Sequence, residues 1–258
     1  MPVNKRQRAK KTVEQELEEM NQMDEYLKTQ VRSFQFRINC KFKNKKQKDL
    51  FNTIMENRIT FCSGAAGTGK TLVSLMAGLD CLKDPARNIG QIVLTKPVVE
   101  IGKSLGAMPG DLTEKTLSYF THFYDNLIKI IGSYQTKYLK ENGFIKETVL
   151  NFVRGSTFGQ YTSDGRPVGS FCIFDESQNC TVTEMKTFIS RMGENSKMVI
   201  LGDVDQIDLR LQRGERCGLE DALERFRGIG GVGYVEFTED EIVRDPFLIE
   251  IMKRYKER

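Results

Sequence analysis

One histidine, His122, is all that the 258 residues contain, and that scarcity removes several kinds of chemistry at once. Metal centres built from clustered imidazoles, and histidine acid–base relays, have little to draw on. The six cysteines, at positions 40, 62, 81, 172, 180 and 217, stand singly, with no Cys-x-x-Cys pair. A structural zinc site needs about four clustered ligands, and disulfide frameworks belong mostly to small secreted scaffolds, so neither is expected. Four of the cysteines lie within apolar segments and read as small buried hydrophobes. Apolar runs fall well short of the roughly 18 residues that a bilayer span requires. The start, Met1-Pro-Val-Asn-Lys-Arg-Gln-Arg, is basic, but no secretory apolar stretch follows it. Neither a signal peptide nor a membrane partner is therefore expected, and the cytoplasm is the default location.

What is present is an ordinary globular composition, 39% hydrophobic and 29% charged, with a net charge of +4. The length suits one substantial core and not two large ones. Residues 1–11 hold five basic residues and no acid, whereas residues 12–25 hold six acids and no base. Val13, Leu17, Met20, Leu27 and Val31 recur at helical spacing, which predicts an amphipathic helix over roughly 12–31. Its apolar stripe suits packing either on its own domain or on a neighbouring subunit. Residues 1–35 thus form an N-terminal extension, and 36–258 the main domain.

Residues 34–48 interleave Phe34, Phe36 and Phe42 with Arg37 and five lysines. Such a segment can neutralise phosphates and stack on bases. The plainer reading is a solvated strand and turn with its phenylalanines in the core. From residue 58 onward the rhythm becomes strand, loop and helix. Strands are predicted at 58–62, 89–95, 149–154, 170–174, 197–201 and 234–237, with helices at 72–82, 112–131, 186–192 and 239–254. That alternation implies an α/β domain whose mainly parallel sheet is covered by helices on both faces.

Gly64-Ala65-Ala66-Gly67-Thr68-Gly69-Lys70-Thr71 satisfies the P-loop pattern at every required position. Glycines allow the backbone to curl so that its N–H groups form an anion nest, and the following helix points its positive end at the phosphates. Lys70 is placed to reach the β- and γ-phosphates of ATP, and Thr71 to offer its hydroxyl to Mg²⁺. The pattern arises by accident in roughly one chain in a hundred of this length, and a strand before it and a helix after it narrow the odds further.

Phe171-Cys-Ile-Phe-Asp175-Glu176 is an apolar strand ending in two acids, where a parallel strand meets the ligand crevice. Asp175 is expected to hold Mg²⁺, and Glu176 to orient and deprotonate the attacking water. Leu201-Gly202-Asp203-Val204-Asp205-Gln206 repeats the layout, and Gln206 suits contact with the γ-phosphate or the water, an ordinary turn being the alternative. Arg244 is a candidate for stabilising γ-phosphate charge, in cis or in trans, against a surface ion pair with Asp245 or Glu241.

This order of motifs resembles the PhoH family of P-loop ATPases, which is related to superfamily-one helicase cores. The resemblance runs over residues 40–255. It rests on the P-loop together with Leu94-Thr-Lys-Pro-Val-Val-Glu, Leu105-Gly-Ala-Met-Pro-Gly-Asp-Leu, Phe174-Asp-Glu-Ser-Gln-Asn, Leu201-Gly-Asp-Val-Asp-Gln-Ile-Asp-Leu and Phe237-Thr-Glu-Asp-Glu-Ile-Val-Arg-Asp-Pro. It implies a RecA-like fold, a ring assembly that is typically hexameric, and a bacterial or phage-infected host cytoplasm. It also implies that Gln47 falls where related helicases place an adenine-reading glutamine, and that Thr95-Lys96-Pro97 lies where they contact the nucleic-acid backbone. The family usually has alanine where this chain has Ser177. RNA or single-stranded DNA is the partner so implied, with a regulatory ATPase acting on proteins as the alternative. A lone RecA-like domain leaves the γ-phosphate open to water, so a homo-oligomer is expected, with Arg244, Arg213 or Arg191 acting across the interface.

Overall fold

The computed structural model describes residues 36–97 and 112–243 apart from 154, 156, 163, 210 and 213, together with residues 247 and 254. The first element is a helix, α1 (Lys45–Glu56), where a strand and turn were expected. The Asn44 side chain caps it by accepting from the Gln47 N–H at 2.9 Å, and Gln47, Leu50 and Ile54 form its buried face. The sequence hides this helix because lysines occupy most of its other early positions.

Then follow β1 (Ile59–Gly64), α2 (Lys70–Lys83), β2 (Ile89–Lys96), α3 (Leu112–Ile131) and α4 (Ser133–Glu141). The chain continues through β3 (Ile145–Val149), β4 (Gly159–Tyr161), β5 (Pro167–Phe174), α5 (Val182–Ile189), β6 (Lys197–Gly202), α6 (Gly218–Arg225) and β7 (Val232–Phe237). The strand order is β3-β2-β5-β6-β1-β7, with β4 antiparallel on β5 and the other pairs parallel. One strand, β6, separates the P-loop strand β1 from β5, which ends at the acids. This is the expected α/β architecture, a mainly parallel sheet.

Alternation along the strands divides the core in two. Cys62, Phe171, Ile173, Val199 and Leu201 face a layer with α1, α2, α3 and α4. Phe61, Cys172, Phe174, Met198 and Ile200 face the layer that holds α5 and α6. Close approach is needed at Gly78 of α2, where a Cβ would lie 2.9 Å from the Phe171 ring. Lys197 closes the carboxyl end of α1, its Nζ donating to the carbonyls of Ile54, Met55 and Asn57 at 3.0, 3.0 and 2.6 Å.

Several boundaries differ from expectation. The strand expected at 149–154 is not found: β3 lies just before it and ends at Val149, and a 3₁₀ turn, Leu150–Phe152, follows. The helix expected at 186–192 begins earlier because Thr181 and Glu184 form a capping box. Helices α4 and α6 were not anticipated. The closing helix over 239–254 and the helix over 12–31 lie mostly or wholly outside the described residues, apart from the 3₁₀ turn Glu239–Glu241.

Candidate nucleotide site

The P-loop leaves β1 at Gly64, whose φ of 131° and position against β7 both exclude a side chain; a Cβ there would lie 2.2 Å from the Phe237 carbonyl oxygen. The loop ends at Gly69, the N-cap of α2, with φ of 90° and no side-chain cap. The first amides of α2 therefore have no side chain competing for them, which suits an anion. Lys70 Nζ donates to the carbonyls of Gly64 and Ala65 at 2.5 and 3.0 Å. The Thr68 hydroxyl, fully buried, donates to the Ala65 carbonyl at 2.9 Å.

Two contacts from outside pin the loop. Gln47 is buried, donates from Nε2 to the Thr68 carbonyl at 2.9 Å, and accepts at Oε1 from the Lys43 N–H at 2.8 Å. The Val243 N–H donates to the Gly67 carbonyl at 2.9 Å. The Asn44 side chain, in turn, donates to the Glu241 carbonyl at 3.3 Å, joining the two pins.

The acids arrive at the same end of the sheet. Asp175 follows β5, and its N–H donates to the Thr95 carbonyl of β2 at 2.9 Å. Its Oδ2 accepts from the Thr71 hydroxyl at 2.8 Å and from His122 Nε2 at 3.1 Å, while Oδ1 accepts from the Glu176 N–H at 3.0 Å. Burial opposes charge on Asp175, yet the hydrogen bond and charge of His122, with Lys96 and the Thr71 hydroxyl, hold its carboxyl below the ordinary value. Glu176 has a left-handed backbone with φ of 56°, a conformation that non-glycine residues adopt at a cost and often at functional sites. Gln178 holds its side chain: Nε2 donates to Glu176 Oε2 at 2.8 Å and to the Gln206 carbonyl at 3.2 Å. Gln178 Oε1 accepts from the Asp203 N–H at 3.1 Å, and Gln206 Nε2 donates to Asp203 Oδ2 at 2.7 Å. The two strand-end motifs are therefore one hydrogen-bonded unit.

These residues enclose a cleft of about 420 Å³, lined by Gln47, Lys70, Thr71, Asp175, Glu176 and Gln206 among others. Residues 39–256, nearly the whole main domain, match the family described as PhoH-like protein. The chain belongs to the PhoH family.

The PhoH-like protein of Bacillus subtilis (strain 168) is 38% identical over 209 residues, covering 81% of this chain and 61% of that protein. Protein PhoH of Escherichia coli (strain K12) is 33% identical over 215 residues, 83% of this chain and 57% of its own. The chain thus spans about three fifths of the length of these curated relatives. Among solved structures, the UvsW helicase from Bacteriophage T4 aligns over 82% of this chain and 66% of that one, at 13% identity and a TM-score of 0.45.

Within this PhoH domain most of the predicted site residues converge, but not all. Phe36 is buried and Phe42 packs on Phe51 at 5.4 Å between ring centroids, so neither of these two rings is free to stack on a base, while Phe34 lies outside the described residues. The plainer of the two readings of 34–48 holds for these rings. Arg191 follows α5 at the opposite end of the sheet, beside the start of β4, and does not line the cleft. Arg213 and Arg244 lie outside the described residues. Among the described residues, no helix is long and apolar enough to cross a membrane.

Two site residues were missed. Gln178 was quoted only as part of a motif, and nothing in its spacing signals that its amide joins Glu176 to Asp203. His122, without histidine neighbours, signals no relay or metal cluster in the sequence, yet a single imidazole needs only one carboxylate to matter.

Proposed function

We propose that this chain is an ATPase that binds ATP with Mg²⁺ at the P-loop and hydrolyses the γ-phosphate. The observation that carries the reading is the 2.8 Å hydrogen bond from the Thr71 hydroxyl to Asp175, which joins the phosphate loop to the strand-end acid. A threonine whose proton is given to an ionised carboxylate keeps its lone pairs for a cation, so Thr71 and Asp175 fit Mg²⁺, Thr71 directly and Asp175 through water. Bound there, Mg²⁺ would neutralise charge on the β- and γ-oxygens. Lys70 meets the same oxygens as a point charge. Glu176, oriented by Gln178, accepts the proton of the attacking water, and Gln206 contacts the γ-phosphate or that water. Gln47 lines the cleft, and its amide keeps one N–H and one lone pair beyond those used, enough to meet an adenine edge.

Coupling to RNA or single-stranded DNA is the second part of the proposal. Its support is the position of Thr95 and Lys96 at the end of β2, with Thr95 accepting directly from the Asp175 backbone. A strand that touched a phosphate chain would thereby adjoin the metal carboxylate. The oligomer belongs here too. No arginine is among the described residues that line the cleft, and Arg244 directly follows Val243, which is pinned to the loop. An arginine from Arg244 or from a neighbour in a ring would complete the charge at the γ-phosphate.

The test is steady-state ATP hydrolysis with and without single-stranded RNA and DNA, for the native chain and Glu176→Gln. The variant is expected to lose about 10²- to 10⁴-fold in rate while still binding nucleotide. Stimulation of the native rate by RNA or DNA supports coupling. Indifference to both removes it in favour of a regulatory ATPase acting on proteins, and a Glu176→Gln variant with the native rate removes the assignment of the base.

A further inference from the structure

The sole histidine sits where a metal-binding carboxylate is held, and nothing in the motif pattern requires it. Asp175 receives three hydrogen bonds from the described residues: the Glu176 N–H, the Thr71 hydroxyl and His122 Nε2. The first comes from the adjoining peptide and the second from the P-loop helix, whose hydroxyl is itself a candidate metal ligand. His122 alone reaches Asp175 from outside both the adjoining peptide and the P-loop helix. That element is firmly seated, because Phe120, Phe123, Leu127 and Ile130 of α3 are all fully buried in the core.

The bland reading of a lone helical histidine is a surface ion pair, which contributes little. The burial of Asp175 argues against it. The Asp175 side chain is 8% exposed, whereas the His122 side chain is 37% exposed and faces the cleft. A carboxylate so enclosed has its plane set by the few donors around it. An ionised carboxylate only accepts, so the 3.1 Å contact requires a proton on Nε2.

We propose that His122 is the positioning residue for Asp175, donating to Oδ2 and fixing the orientation in which the carboxylate meets Mg²⁺ or its water. The inference rests on the assignment of Asp175 to Mg²⁺ made above. Outer-shell partners that orient ligating groups typically contribute 10- to 100-fold to metal affinity. His122→Ala should therefore loosen the metal and leave the backbone of the phosphate loop, which is pinned by Gln47 and Val243, as it was.

The experiment measures binding of a fluorescent ADP analogue against Mg²⁺ concentration, and also in EDTA, for the native chain, His122→Ala and His122→Gln. His122→Ala is expected to raise the Mg²⁺ concentration for half-saturation by about tenfold or more, with EDTA binding unchanged. His122→Gln keeps an N–H donor and should stay within about threefold of native. In the native chain, the single imidazole resonance in the proton spectrum should shift when Mg²⁺ joins bound ADP. A native Mg²⁺ requirement in His122→Ala, an equal loss of binding in EDTA, or an unmoved imidazole resonance would overturn the proposal. If native nucleotide binding shows no Mg²⁺ dependence at all, the Mg²⁺ reading of the site fails first, before any histidine variant is compared.

Discussion

Replacing Gln47 with alanine separates two roles that the structure allows one side chain. As the structure stands, Gln47 is a clamp: its amide joins the Lys43 N–H to the Thr68 carbonyl, and Gly69 leaves room for it, since a Cβ there would lie 2.5 Å from Nε2. Truncation removes both hydrogen bonds and strands the Thr68 carbonyl behind the loop, at a cost of about 1–3 kcal/mol that already includes its lost bond. Lys43 is exposed, so water can replace its lost partner. Lost burial of the stem adds a methylene, about 0.8 kcal/mol. Together these effects give a destabilisation of about 2–4 kcal/mol. Urea unfolding followed by circular dichroism reads it as a lowered midpoint at unchanged slope. Gln47→Leu, which restores volume without hydrogen bonds, should recover less than half. Binding of ATP and GTP then divides the roles: a clamp loses affinity for both alike, whereas an adenine reader loses ATP preferentially. Destabilisation below about 0.5 kcal/mol would refute the reasoning, because a buried amide with two partners cannot be removed so cheaply.

Other substitutions and conditions test neighbouring parts. The Ser177 hydroxyl is fully buried without a hydrogen-bond partner among the described residues, so Ser177→Ala should be neutral or stabilising by up to about 1 kcal/mol in urea unfolding; a larger loss would reveal a partner. The Asp175 carboxyl is held below its ordinary value of 3.8, so its contribution to stability is complete above that pH and disappears as pH falls through the lower folded value. Asp175→Asn should accordingly flatten the acid limb of stability below about pH 4, measured by midpoint against pH. Burial pushes the Cys62 thiol up to about 12 and the Cys81 thiol up to about 11, and leaves Cys40 as the one half-buried cysteine. Ellman's reagent at pH 8 should therefore modify one thiol rapidly in the native chain and six in denaturant, the Cys62 thiolate fraction being about 10⁻⁴.

The phosphate loop was legible residue by residue, because anion binding dictates glycine, lysine and hydroxyl at fixed spacing. So was the strand that ends at Asp175, whose unbroken apolar run marks a doubly covered strand. Helix α1 was not, since Gln47, Leu50 and Ile54 are only three buried positions in a run of lysines. Among the phenylalanines of 34–48, Phe36 and Phe42 turned inward and left the cations outside, an outcome that interleaving cannot distinguish from a stacking surface. Helix α6 opens with Gly218 behind a cysteine cap, Cys217, where a sequence gives little reason to start a helix. The contacts of His122 with Asp175 and of Gln178 with Asp203 join residues that are close only after the chain has crossed the sheet.

The pins on the loop have a consequence for how the protein is made. Asn44 and Glu241, which tie the upstream and downstream anchors together, are 197 positions apart. At ordinary synthesis rates the second follows the first by roughly 10–40 s. Throughout that interval the ribosome holds a chain that has its glycines and its lysine but not the anchored curl that makes them a receptor. A nucleotide that needs the anchored loop would accordingly be captured only after residues 241–243 have docked.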